Sequence, residues 1–314
     1  MTYIRRHFRL VATCATLAAA GTLLAGAPAQ AQEPVNFDMV AVSSAGTVTA
    51  PDPTRPDPTP NGTVGTGRLA DAGTEWKRAS AKDIIQTGQN SGTRSVIGDD
   101  NRTRITSMTG KYAKGVFFQV TNANYQVVTN CTGFMVSSEY MLTAGHCVHQ
   151  GSGGTSGFYP NMDLFPAYNN KLAAGGMRCF KVQSWTSSAY MNNGSTTGDW
   201  GIVKLNCAAG RTYGTFGLND SSLASGTGLE IFGYPVDKGL GVPYTGRGQV
   251  TNVVGDLMRH TVDTTGGQSG SPMLITDTAV AGIHTSGTTT FYPGQNHGTK
   301  ITPALKSTIN GIIF

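Results

Sequence analysis

From Ser95 to the carboxyl end the chain is written in short β-type runs, and this punctuation limits the fold more than any other feature. GVFFQV (115–120), YQVVTN (125–130), CTGFMV (131–136), YMLTAG (140–145), DWGIVKL (199–205), LEIFGYP (229–235), GQVTNVV (248–254), LMRHTVD (257–263) and VAGIH (280–284) are parted by Gly, Asn, Ser and Pro turns. Recurrence of such runs at roughly 8–12-residue spacing is the pattern of β-sandwiches and barrels. A convincing helix is expected only around TPALKSTINGII (302–313), and no internal repeat is visible. The 220 residues from 95 to 314 suffice for two small β-lobes or one large one.

The preceding residues differ in texture. Residues 1–31 read as an export signal: Arg5, Arg6 and Arg9 open it, LVATCATLAAAGTLLAGA is its apolar run, and Ala29-Gln30-Ala31 offers a cleavage site. The run is short for a membrane span and no second hydrophobic segment follows it, so a secreted, extracellular protein is expected. Residues 32–94 include TAPDPTRPDPTPNGTVGTG, too poor in large apolar residues to form a core, and read as a flexible linker or propeptide. Removing the signal takes Cys14 with it and leaves Cys131, Cys147, Cys179 and Cys207. An even count in an exported chain favours disulfides, of which three connectivities are possible. We expect Cys131–Cys147 and Cys179–Cys207, each joining neighbouring strand-like segments, whereas a zinc site would want tighter Cys pairs. In residues 95–314, 14 Lys and Arg against 11 Asp and Glu leave a scattered +3. That is too mild to argue for nucleic acid or a membrane as partner.

Three residues carry the candidate chemistry. TTGGQSGSPM (264–273) is a charge-free, glycine-rich turn that can fix the Ser269 hydroxyl and leave backbone N–H groups aimed into a cleft. An isolated turn of this kind is usually just a surface turn. His146, in LTAGHCV, follows a β-type run beside Cys147, although a lone histidine is more often structural. Asp199, in GDWGIVKL, stands at the mouth of an apolar run, where a carboxylate must pair or lose its charge. The order His146, Asp199, Ser269 is that of the chymotrypsin-type triad, the worked template of such chemistry. An α/β-hydrolase would order Ser, acid, His and would need glycine where Ser271 stands. A catalytically silent secreted β-domain that binds a ligand is disfavoured because no member of the set is missing.

LTAGHCV, DWGIVKL and TTGGQSGSP resemble the three signatures of the chymotrypsin-like serine endopeptidases. TGGQSGSP followed by GIHTSG and GTKI is similar to the bacterial glutamyl endopeptidases of staphylococcal and bacillar type, and SVIGDDNRTRIT (95–106) resembles the mature amino-terminus of the bacillar enzymes. The resemblance covers nearly all of 95–314. It implies an all-β fold of two antiparallel six-stranded β-barrels with a C-terminal helix, the N-terminal barrel over about 95–207 and the C-terminal one over about 208–314. It implies catalysis by Ser269, His146 and Asp199, an oxyanion hole from the amides of Gly267 and Ser269 with Gln268 turned to solvent, and no organic cofactor or metal. It places Thr264 and His284 in the substrate pocket and lets the α-amino group of Ser95 complete it, so cleavage after Glu is expected, with Asp slower. Asp263, six residues before the serine, keeps a tryptic or broad specificity open unless it points away into a turn or toward a strand amide. His149 is expected as an exposed loop residue, His260 as structural and His297 as a marginal pocket candidate. Peptide substrates, a monomer, and a separate processing protease cutting after Arg94 complete these expectations.

Overall fold

The computed structural model describes residues 39–43, 48–49, 96–172 and 176–314; the expected signal (1–31), most of 32–94, Arg94 and Ser95 lie outside the described residues. The strands are β1 (Met39–Ser43), β2 (Val48–Thr49), β3 (Thr103–Arg104), β4 (Gly115–Thr121), β5 (Val127–Met135), β6 (Tyr140–Thr143), β7 (Asn161–Pro166) and β8 (Cys179–Ser187). They continue as β9 (Gly201–Leu205), β10 (Gly217–Leu218), β11 (Gly228–Gly233), β12 (Tyr244–Val254), β13 (Leu257–His260), β14 (Pro272–Leu274), β15 (Ala279–Ser286) and β16 (Asn296–Lys300). In the first half the order β8-β7-β4-β5-β6-β9 closes through a β8–β9 pairing, and in the second β15-β14-β11-β12-β13-β16 closes through β15–β16. Both are closed six-stranded antiparallel barrels, as expected, and closure removes the exposed edges that a short-stranded sheet would otherwise leave.

Period-two alternation explains how the barrels join. Met135, Met141 and Val203 face the interior of the first barrel, while their neighbours Phe134, Leu142 and Ile202 face out of it. Ile231 likewise points into the second barrel and Phe232 away from it. The outward residues form one cluster with Trp200, Ile283 and the terminal helix residues Leu305, Ile309 and Ile313. Each side chain buried there contributes roughly 1.5–3 kcal/mol, so the joint is a core in its own right. The terminal helix, Pro303–Ile313, has Thr302 as N-cap, its hydroxyl accepting from the Leu305 N–H at 3.2 Å, and proline in its first turn. Two short helices not evident from the sequence, α1 (Ser188–Asn193) and α2 (Ala209–Tyr213), precede this one, α3. Ser187 caps α1 by accepting from the Tyr190 N–H at 2.9 Å. Tertiary contact, not periodicity, stabilises helices this short.

Two segments depart from the layout expected. β1 lies within 32–94, read as linker or propeptide, yet it pairs antiparallel with β8 from Met39↔Ser187 to Ser43↔Gln183. The sequence MVAVS is itself β-prone, and the last residues of β8 lie beyond its pairing with β7. At the other boundary, β3 pairs with β12, so residues just after 95 join the second barrel although they precede the first in sequence. Both expected disulfides are present: Cys131–Cys147 spans 16 residues and Cys179–Cys207 spans 28. Loops of that size are worth about 3 kcal/mol each through the unfolded chain. Phe232→Ala, which opens the joint rather than either barrel, is expected to lower unfolding free energy by about 3–5 kcal/mol. Urea titration followed by tryptophan fluorescence measures it, and a loss under 1 kcal/mol contradicts a shared core.

Candidate active site

His146 sits in a single 3-10 turn, Gly145–Cys147, at the end of β6. Both oxygens of Asp199 fix it: Oδ1 accepts the His146 backbone N–H at 2.9 Å and Oδ2 meets Nδ1 at 2.8 Å. Asp199 is buried at the entrance to β9. Burial works against charge on the imidazole, but the carboxylate outweighs it through its field and hydrogen bond and raises the His146 pKa above 6.5. With Nδ1 donating to Asp199, Nε2 is left as the basic nitrogen.

Ser269 comes from the second barrel, in the turn between β13 and β14. Gly267 and Gly270 flank it at φ of 90° and 86°, a left-handed region that glycine enters without penalty. A Cβ on Gly267 would strike the Tyr234 carbonyl, and one on Gly270 the Thr132 carbonyl, so the close approach also requires glycine. The Ser269 hydroxyl donates to the Thr285 carbonyl at 3.4 Å, and no Ser269–His146 hydrogen bond forms in this resting arrangement. Thr285 lies at an irregularity in the β15–β16 register, between His284 and Ser286. Catalytic hydrogen bonds are commonly loose before substrate arrives. Among the described residues the backbone N–H groups of Gly267 and Ser269 have no intramolecular acceptor. The carbonyls of the same residues do: Thr132 donates its hydroxyl to Gly267 O at 2.8 Å and its N–H to Ser269 O at 2.9 Å. The sequence did not single out Thr132; its neighbour Cys131 was the only signal.

A second group lies beside this turn. The Val262 N–H donates to His260 Nδ1 at 3.2 Å, so the hydrogen of His260 is on Nε2, which stands 3.2 Å from His284 Nδ1. His284 therefore accepts at Nδ1 and carries its own hydrogen on Nε2. Burial, with the neighbouring imidazoles, pushes the His260 pKa down to about 3 and that of His284 well below the usual value; burial and Arg259 lower His297. The trio is neutral at pH 7. Thr264 Oγ1 accepts from Asn296 Nδ2 at 3.2 Å, and Asn296 stands opposite His260 in the β13–β16 ladder. Thr264 and His284 are thus tied into one buried network, in which His260 takes part rather than serving only the core.

Asp263 is fully buried with both oxygens engaged: Oδ1 accepts the Ile97 N–H at 2.7 Å and Oδ2 the Asn101 N–H at 3.1 Å. Two further expectations are corrected. Gln268 is buried, its Oε1 accepting from the Thr265 N–H at 3.0 Å, because the turn folds back on itself instead of projecting to water. His149 is buried too, wedged between the Gly154 carbonyl at 2.7 Å and the Gly151 N–H at 2.9 Å, which fixes the following loop.

Thr132→Val keeps the shape of the side chain and removes its hydroxyl. It is expected to lower kcat by about 10-fold, since small misplacements of reacting groups have large effects. Kinetics with active-site titration check this, and an unchanged kcat contradicts the bracing role.

The chain matches the family described as Trypsin over residues 108–306. It is 32% identical over 224 residues to a glutamyl endopeptidase of Bacillus licheniformis, covering 67% of this chain and 66% of that protein. A protein of Bacillus subtilis (strain 168) named extracellular metalloprotease is 30% identical over 305 residues, 93% of this chain and 91% of the relative. Among the described residues the metal in that name finds no fitting donors: the one candidate cluster there is Cys131, His146 and Cys147, whose sulfurs form a disulfide and whose imidazole is held by Asp199. A solved structure described as a Glu endopeptidase in complex with MPD superposes with a TM-score of 0.62 at 28% identity, over 69% of this chain and 99% of that one. No helix among the described residues is long and apolar enough to cross a membrane. Two closed six-stranded barrels with His146, Asp199 and Ser269 drawn from both, and a family match across them, lead to one conclusion: the chain belongs to the trypsin family, the chymotrypsin-like serine endopeptidases.

Proposed function

We propose that the protein is a secreted endopeptidase that cuts after glutamate, and more slowly after aspartate. Ser269 Oγ attacks the scissile carbonyl while His146 Nε2 takes its proton and returns it to the leaving amine. Asp199 holds the tautomer and stabilises the imidazolium. The N–H groups of Gly267 and Ser269 receive the oxyanion, and water completes the hydrolysis of the acyl-enzyme. Residues 1–31 serve as export signal and 32–94 as propeptide, and a separate trypsin-like protease releases Ser95 by cutting after Arg94. The released enzyme acts as a monomer.

The observation that carries the specificity is the tautomer of the buried imidazole pair. His260 donates to His284 Nδ1, so His284 presents a hydrogen on Nε2. Thr264, already accepting from Asn296, has its own hydroxyl hydrogen left to give. A pocket ending in donors suits a carboxylate, which would also raise the His284 pKa and make it the counter-charge. Asp263, which a pocket for lysine would need, has both oxygens taken up by backbone amides. Aspartate's shorter stem reaches the donors less well.

Four outcomes test this reading. Ser269→Ala should fold and lose activity by several orders of magnitude. The acid limb of kcat/KM in the wild type should lie above pH 6.5, because the base must be neutral and Asp199 raises its pKa. Asp199→Asn should lower kcat by about 10⁴ and move that limb to lower pH; a limb that stays in place refutes the pairing. For specificity, matched peptides with Glu, Gln, Asp, Lys and Phe before the scissile bond are compared in wild type and His284→Ala. Preference for Glu over Gln should collapse in the variant, whereas fast cutting after Lys, or a Glu preference independent of His284, overturns the proposal.

A further inference from the structure

We propose that Arg102 is a positioning residue for the oxyanion turn, its guanidinium holding the Thr265–Gln268 segment in the shape that presents the Gly267 N–H to the reacting carbonyl. This rests on the reading of Gly267 and Ser269 as oxyanion donors. The turn consists of Thr265, Gly266, Gly267 and Gln268, and two adjacent glycines give it the largest conformational freedom a backbone can have. An oxyanion donor acts well only if it is already in place, so something outside the turn must restrain it.

Arg102 supplies that restraint. Its side chain is wholly buried. One edge forks onto Asp100, Nε to Oδ1 at 2.9 Å and Nη2 to Oδ2 at 2.8 Å. The other forks onto Asp237, Nη1 to Oδ1 at 3.1 Å and Nη2 to Oδ2 at 2.6 Å. Two carboxylates around one guanidinium leave an excess negative charge, which Lys238 balances from Asp100 at 2.8 Å. With the cation so fixed, Nη1 donates also to Thr265 Oγ1 at 2.9 Å and to Gln268 Oε1 at 3.4 Å. These are the two ends of the turn. Gln268 Oε1 accepts in addition from the Thr265 N–H, and the Gln268 N–H closes on the Thr265 carbonyl at 3.1 Å.

Gln268 Nε2 has no partner among the described residues, so its buried side chain is held by the oxygen alone. A glutamine with one end unsatisfied inside the protein is costly, so the contacts of its oxygen must offset that cost. That oxygen receives Arg102 across the glycines. Planarity matters: a guanidinium can address two carboxylates and the turn at once, which a lysine ammonium cannot.

The experiment compares the processed wild-type enzyme with Arg102→Met and Asp237→Ala, using a Glu-containing peptide substrate and a peptide boronate whose tetrahedral adduct places an oxygen at the oxyanion donors. Arg102→Met is expected to lower kcat by about 10-fold to 100-fold, with KM within about threefold and the boronate weakened in parallel with kcat. Asp237 is part-exposed, so its variant is expected to fold even where Arg102→Met does not, and by loosening the guanidinium it should reproduce the same kcat-selective loss on a smaller scale. Unchanged kcat and boronate affinity in either variant, or an effect confined to KM or thermal stability, overturns the inference. A wild type that cleaves no Glu peptide and takes no fluorophosphonate label at Ser269 refutes the underlying reading instead.

Discussion

Two adjacent residues of β5 hold the catalytic geometry together. Cys131 is bonded to Cys147, next to His146, and Thr132 binds the carbonyls on either side of Gln268 while its Oγ1 accepts the Tyr234 N–H at 3.0 Å. One strand therefore fixes His146 from its own barrel and Ser269 from the other. Because neighbouring residues of a strand point to opposite faces, Cys131 packs in the first barrel's core while Thr132 reaches the second. If that strand shifted by one residue, both connections would be lost together.

Beyond this clasp, the site is governed by how buried polar groups find partners. Asp199 gives both oxygens to one histidine, Asp263 gives both to the backbone of residues 97 and 101, and Arg102 is surrounded by two carboxylates. Every one of these is a charge that a low-dielectric interior would reject if it stood alone. The three histidines beside Ser269 form the contrasting region, kept uncharged by their burial and by one another. The segment after residue 95 takes part in two of these charged groups, since it binds Asp263 through its amides and carries Arg102 to the Thr265–Gln268 turn. Its pairing with β12 rather than with the first barrel makes that double role possible.

Much of this was legible in the chain. LTAGHCV, DWGIVKL and TTGGQSGSP marked the residues that come together, and the turn spacing marked a β-sandwich or barrel, which the family resemblance narrowed to two barrels. What escaped notice did so for identifiable reasons. His149 and Gln268 lie in polar, glycine-rich stretches that read as exposed, but loops that fold back bury their polar side chains against their own backbone. His260 looked like a core residue because its role consists of a hydrogen bond to a residue 24 positions away. β1 was hidden by the proline-rich chain around it, and α1 and α2 are too short to show a period.

The sequence by itself pointed to the class of fold, to cysteine pairs joining neighbouring strands, and to three candidate groups for acyl transfer, because strand alternation, turn chemistry and the reactivity of Ser, His and Asp are local properties. Only the tertiary structure decided the direction in which each buried group donates. The tautomer of His284, the backbone amides that occupy both oxygens of Asp263 and the grip of Arg102 on the Thr265–Gln268 turn depend on partners up to 166 residues distant. Hydrogen bonds across such separations follow from the closure of two barrels around a shared core, and no spacing along the chain encodes which donor then faces which acceptor.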